Sequence, residues 1–174
     1  MSEKVERVKI SDFRVERAPA QLKISGLGSC VALAFYEPEK KIGGLAHILL
    51  PGPAPDPGRQ DFSNSRLYKS KYADQAVRSL LEAMTRAGSS AGKIVAKIAG
   101  GSNMFQGPPG AEQEGPLRPG IGERNVEAVR RFLRELAIPV AGEDVGGQSG
   151  RTIVFDLHSG ELINTNLQGK KLVL

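Results

Sequence analysis

The 174-residue sequence predicts an α+β protein, a largely antiparallel sheet covered by two main helices. Three observations carry that expectation. Short β-compatible runs outnumber helical ones, neighbouring runs are mostly separated by short turn signals, and two stretches repeat their apolar residues at helical spacing. The length suits one domain over 1–174, and no repeat or composition shift marks a boundary.

Taken in order, "LKIS" (22–25) reads as a short strand running into the turn "GLGS", and "VALAFY" (31–36) as a buried strand. "IGGLAHILLP" (42–51) reads as its partner, with "EPEK" between them as a four-residue hairpin loop carrying Pro38 at its second position. Residues 52–66, dense in Gly and Pro, are too long for an ordinary connector and read as a surface loop or lid. In "YADQAVRSLLEAMTRAG", Ala73, Ala76, Val77, Leu80, Leu81 and Met84 recur at helical spacing and Gly88 supplies a stop. "KIVAKIAGG" (93–101) is a further strand, and a second Gly/Pro-rich loop spans 107–120. A second helix begins near "IGERN", its stripe formed by Val129, Phe132, Leu133 and Leu136. The remaining segments, "IPVAGEDVGG", "RTIVFDL", "ELINTNL" and "KLVL", read as strands, with "HSG" (158–160) as a hairpin turn.

Composition narrows the class. Apolar residues make up 40% and charged residues 25%, ordinary for a globular protein, and no apolar run approaches the roughly 18 residues of a membrane span. The start, "MSEKVERVKISDF", is charged throughout and lacks a secretory apolar core. One cysteine permits no internal disulfide, in keeping with a reducing, cytoplasmic setting. The net charge is +5, but the basic residues are dispersed: Arg130, Arg131 and Arg134 alternate with Glu127 and Glu135. That reads as a solvated surface of mixed charge, with no nucleic-acid partner expected. One Cys and two distant His residues make no conventional zinc cluster, so neither metal nor other cofactor is expected.

The chemistry concentrates at Cys30 and His47. With Glu37 to Lys40 as the loop, opposed residues sum to 77 and Cys30 lies directly across from His47, on one face. A one-residue slip would put them on opposite faces. Gly26 and Gly28 allow the preceding turn to bring backbone N–H groups near the thiol, around Gly28, Ser29 and Cys30. A thiol, an imidazole and clustered N–H donors are the minimal kit for acyl transfer. Cys30 as a buried small hydrophobe and His47 as a core histidine are the plain alternatives.

These residues resemble a known family, the chemoreceptor glutamine deamidases of chemotaxis, CheD. The likeness runs in order through "LGSCVALAFY", "GGLAHILLP", "YADQAV", "KIAGGSNMF", "IGERNVEAV" and "EDVGGQSGRTIVFD", most of residues 22–160. The resemblance implies an α/β/β/α-type layered sandwich and a cytoplasmic amidohydrolase that converts receptor glutamines to glutamates with release of ammonia. It places the nucleophile on Cys30 and the catalytic histidine on His47. The family's threonine, six residues before the cysteine, is replaced here by Ile24, leaving Ser25 as the nearest hydroxyl. Asp144 is a second candidate to orient the histidine. The implied partners are methyl-accepting chemotaxis receptors and a CheC-type CheY-phosphate phosphatase. Gly28, Ser29 and Phe105 are the expected substrate and partner contacts, with Met104 beside Phe105. The competing expectation is a weakly active or inactive CheD-like module that regulates the phosphatase.

Overall fold

A computed structural model of the chain describes residues 4–53, 70–104 and 119–174. Its strands are β1 (Lys4–Arg7), β2 (Phe13–Arg17), β3 (Ala20–Leu27), β4 (Val31–Glu37), β5 (Ile42–Ile48), β6 (Val95–Gly100), β7 (Val140–Val145), β8 (Arg151–Asp156), β9 (Leu162–Asn166) and β10 (Lys171–Val173). The helices are α1 (Ala73–Arg86) and α2 (Ile121–Glu135), with a 3-10 turn at Ala91–Lys93. The strands form two sheets. An outer sheet runs β1-β3-β8-β9-β10 and a central sheet β2-β5-β4-β6-β7. Of the strand pairs among the described residues, only β1–β3 and β6–β7 are parallel.

Strand alternation sorts the core into two layers. On β4, Val31, Leu33 and Phe35 face the helices, joining Ala46 and Ile48 of β5, Val77, Leu80 and Met84 of α1, and Val129 and Leu133 of α2. The other face of β4, Ala32, Ala34 and Tyr36, meets Leu22, Ile24 and Leu27 of β3 and Ile153 and Phe155 of β8. All seven residues of β4 are buried, because it has strands on both sides and a layer on each face. Tyr36 donates its hydroxyl to the Leu157 carbonyl, 2.9 Å, so even this buried polar end is satisfied. The layer order among the described residues is helices, central sheet, outer sheet. Both described helices pack on the central sheet; a helical layer over the far face of the outer sheet is not among the described residues.

Most expected elements are present within a few residues. The helix stop is where Gly88 takes φ +102°, and Gly160 takes φ +79° in the turn between β8 and β9. β1 and β2 had no counterpart in the sequence reading. Both are short edge strands: β1 is mostly polar, while β2 alternates over five residues, with Phe13 and Val15 packed against the helix-side core. Residues 54–66 of the first Gly/Pro-rich loop and 107–118 of the second lie outside the described residues, as does Phe105.

Candidate active site

The turn before Cys30 is set by a bulge in β3. Ile24 pairs with Ile153 but Leu27 pairs with Arg151, so β3 carries one more residue than β8 there. Gly26 takes φ +70° within the bulge. Ile24 and Leu27, an odd number of residues apart, are therefore both fully buried in the inter-sheet core, while Ser25 is exposed. The chain then bends through Gly28, Ser29 and Cys30, and all three carbonyls are taken. Ser102 N–H donates to Gly28 O (3.0 Å), Asn125 Nδ2 to Ser29 O (2.9 Å) and Gly101 N–H to Cys30 O (2.8 Å). Among the described residues no carbonyl accepts the N–H of Gly28, Ser29 or Cys30.

The hairpin register differs from the expectation by two residues. Val31 pairs with Ile48, Ala32 with His47 and Glu37 with Ile42, so the sum is 79 and Cys30 is not directly opposite His47. The loop is Pro38 to Lys41, with Lys41 at φ +50°. Glu37 is retained in the ladder because its buried carboxylate accepts Ser90 N–H at 2.9 Å and lies 3.7 Å from Lys40 Nζ. A shift of two preserves facing. Cys30 packs in the inter-sheet cluster with Ala32, whose partner across the ladder is His47, so thiol and imidazole share a face on the diagonal. Diagonal neighbours lie about 7–8 Å apart, within reach of a long or aromatic side chain.

Cys30 and His47 are buried, 8% and 6% exposed. Burial pushes the thiol above its ordinary value, opposed only by the backbone N–H of Cys30 itself. Burial likewise lowers the His47 imidazole to about 4. Among the described residues neither imidazole nitrogen has a hydrogen-bond partner, so the thiol does not bond to it here. Its backbone is held by the N-terminal segment: Ser11 N–H donates to His47 O and His47 N–H to Asp12 O.

The two residues proposed to orient the imidazole do not touch it. Ser25 stands exposed on the bulge. Asp144 accepts from Asn164 Nδ2 and lies 3.5 Å from Arg151, whose guanidinium also donates to the carbonyls of Asp144 and Gly146. That cluster secures the turn after β7, where Asn103 N–H bonds to Gly147 O and Gly146 N–H to Gly100 O. Gly28 lies under Met104: a Cβ there would meet Met104 Sδ at 2.6 Å, and Met104 is 48% exposed at the rim of the turn. A groove of about 680 Å³ runs beside α2, lined by Asn103, Glu127, Arg130 and Gly147 among others, but by neither Cys30 nor His47.

Sequence reasoning missed Asn125, whose side chain is fully buried against the cysteine turn. Its signal was a polar residue on the apolar face of α2, one turn before Val129. Among the described residues no three His, Cys, Asp or Glu side chains gather as a metal site would require. No helix among them is long and apolar enough to cross a membrane.

Known proteins share this sequence along most of its length. The family model "CheD chemotactic sensory transduction" matches residues 49–166. The chain is 45% identical over 157 residues to "Probable chemoreceptor glutamine deamidase CheD" of Moorella thermoacetica, covering 90% of this chain and 87% of that one. It is 41% identical to the protein of the same description from Archaeoglobus fulgidus, covering 95% of each. "Chemoreceptor glutamine deamidase CheD" of Halalkalibacterium halodurans is 42% identical, with 96% and 97% covered. A solved structure, "Crystal structure of Bacillus licheniformis hypothetical protein YfiH", gives TM-score 0.48 at 16% identity, covering 84% of this chain and 60% of that one, too loose a likeness to bear on the site. With two thirds of its residues inside the family model and relatives matched almost end to end, this chain belongs to the CheD family.

Proposed function

We propose that this protein is a chemoreceptor glutamine deamidase, with residues 1–174 as one catalytic domain using Cys30 as nucleophile and His47 as base. The relatives' names supply the activity. The observation that carries the chemistry is the shared face of Cys30 and His47, beside three backbone N–H groups that no described carbonyl takes.

In the resting site both groups are neutral. Burial holds the thiol above its ordinary value and the imidazole at about 4, so the proton rests on sulfur. The thiolate is therefore a minor species until substrate arrives. Sγ then bonds to the glutamine δ-carbon as its proton passes to His47, and the oxyanion meets the N–H groups of Gly28, Ser29 and Cys30. His47 returns the proton to the amide nitrogen, the C–N bond breaks, ammonia leaves and a thioester remains. Water, deprotonated by the same imidazole, opens the thioester to glutamate and restores the thiol. Ser25 is left outside this chemistry because its hydroxyl stands on the exposed bulge.

The substrates we propose are side chains on the helical cytoplasmic part of methyl-accepting chemotaxis receptors, and the setting is the cytoplasm. Met104 and Phe105 would contact the receptor and a CheC-type phosphatase. A second reading, a weakly active module that serves the phosphatase, is favoured by the unpartnered nitrogens of His47 and by Ile24 at the family's threonine position. Mass spectrometry of receptor fragments separates the two. The enzyme reading expects amide-to-acid conversion that Cys30→Ala abolishes; conversion by the variant dismisses the nucleophile, and no conversion by the unaltered protein favours the module.

A further inference from the structure

We infer that Asn125 is a positioning residue that fixes the separation of Cys30 and His47. The inference rests on the deamidase reading for its kinetic consequence and on geometry alone for the contact. The β4–β5 ladder ends with Val31 opposite Ile48. Cys30 lies beyond that last rung, where the strands have no mutual hydrogen bonds to hold them. Asn125 Nδ2 occupies the open end. It donates to Ser29 O at 2.9 Å and to Leu49 O at 3.0 Å, one residue before Cys30 and two after His47.

The chemistry fixes which end of the amide faces the strands. Two carbonyl acceptors demand the NH₂ group, since a carbonyl oxygen there would face two of its own kind. Leu49 N–H is spent on Lys71 O, so the free side of this segment is its carbonyl. Two glycines bring α2 close enough to deliver the amide. A Cβ on Gly122 would stand 2.4 Å from Gly101 O, and one on Gly101 would stand 2.3 Å from Val126. The first turn of α2 is thus pressed onto the segment that also holds the Cys30 carbonyl, and Asn125 follows on the same face. Asparagine is the fit: Asp offers a carboxylate to two carbonyls, and Ala offers them nothing.

The test compares Asn125→Ala and Asn125→Asp with the unaltered full chain, on receptor fragments, after thermal melts establish which variants are folded. Folded Asn125→Ala should lose about 100-fold in kcat, the cost of misplacing reacting groups by about 1 Å, with KM within about threefold. The pH profile of Cys30 alkylation by iodoacetamide should move as well, which loss of bulk stability alone would not produce. Asn125→Asp should recover turnover as pH falls, because a protonated acid can again donate to one carbonyl. A folded Asn125→Ala whose kcat stays within about threefold of the unaltered protein overturns the inference. One measurement needs no variant: scalar couplings across hydrogen bonds should link Asn125 Nδ2 to the carbonyl carbons of Ser29 and Leu49, and their absence overturns the bridge. Conversion surviving Cys30→Ala would instead sink the deamidase chemistry and leave those couplings intact.

Discussion

His47 is the residue whose state most constrains the site, because an imidazole buried without a described partner is held neutral. Its value of about 4, set by burial, lies below the 6.5 of an exposed histidine. Between those values the unfolded chain binds one more proton than the folded one, so stability rises with pH across that window. The contribution is fully present above pH 6.5 and is lost as pH falls toward 4, at about 1.4 kcal/mol per pH unit and about 3 kcal/mol in all. Urea unfolding at pH 7 and pH 4.5 should therefore show a larger acid loss in the unaltered protein than in His47→Gln, by about 2–3 kcal/mol. Equal losses in the two proteins would mean that the imidazole is solvated or paired in the folded state. The same neutrality keeps His47 ready as a base at neutral pH, so the residue's cost in acid and its use in catalysis have one cause.

The element that joins the layers is β5, and its paired glycines explain how. A Cβ on Gly43 would meet Leu157 Cδ2 at 2.3 Å and the Phe155 ring at 2.9 Å, so this glycine lets the outer sheet approach. A Cβ on Gly44 would meet Leu80 Cδ1 at 2.7 Å and Val15 Cγ2 at 3.0 Å, so its neighbour lets α1 approach from the other side. Gly44→Ala should then cost about 1–3 kcal/mol through overpacking. Leu80→Ala alone should cost about 2–5 kcal/mol for the cavity. In the double variant the new methyl enters the vacated space, so the combined loss should fall short of the sum by about 1 kcal/mol, measured as a double-mutant cycle in urea. Additive losses would show that α1 does not rest on Gly44. In the sequence this hairpin was legible as two strands and a turn, and the shared face of Cys30 and His47 was legible because facing depends only on parity. The register itself was not, since it turns on Glu37 being captured by Ser90, a contact 53 residues away in the chain. The bulge at Ser25–Gly26 was equally hidden, because it exists to let Ile24 and Leu27 both enter a core whose other wall is β8.

At the scale of the molecule, the sequence announced two helices and the buried strands because their apolar periodicities are local. Local pattern alone suggested one sheet, and the two-sheet layering came only with the family resemblance, since it depends on which strands find each other over long separations, such as β3 with β8. This architecture grades stability from the centre outward. β4 has strands on both sides and a packed layer on each face, so its amides should exchange with solvent only on global opening. β1, β7 and β10 are sheet edges and should open locally. The turn Gly28–Cys30 breaks that gradient. It adjoins β4 directly and its carbonyls are all bonded, yet no described carbonyl takes its N–H groups. If those amides are free to receive an oxyanion, they should exchange without unfolding. Residue-resolved hydrogen exchange should then find Ser29 and Cys30 at least about 10³-fold less protected than Leu33 or Phe35, given the usual range of folding equilibria. Protection equal to that of β4 would mean the amides are already engaged, and the proposed oxyanion site would have to be sought elsewhere. The contrast is sharp because Cys30 and Val31 are consecutive: whatever opens β4 opens the turn too, so only unpaired donors can make the turn exchange first.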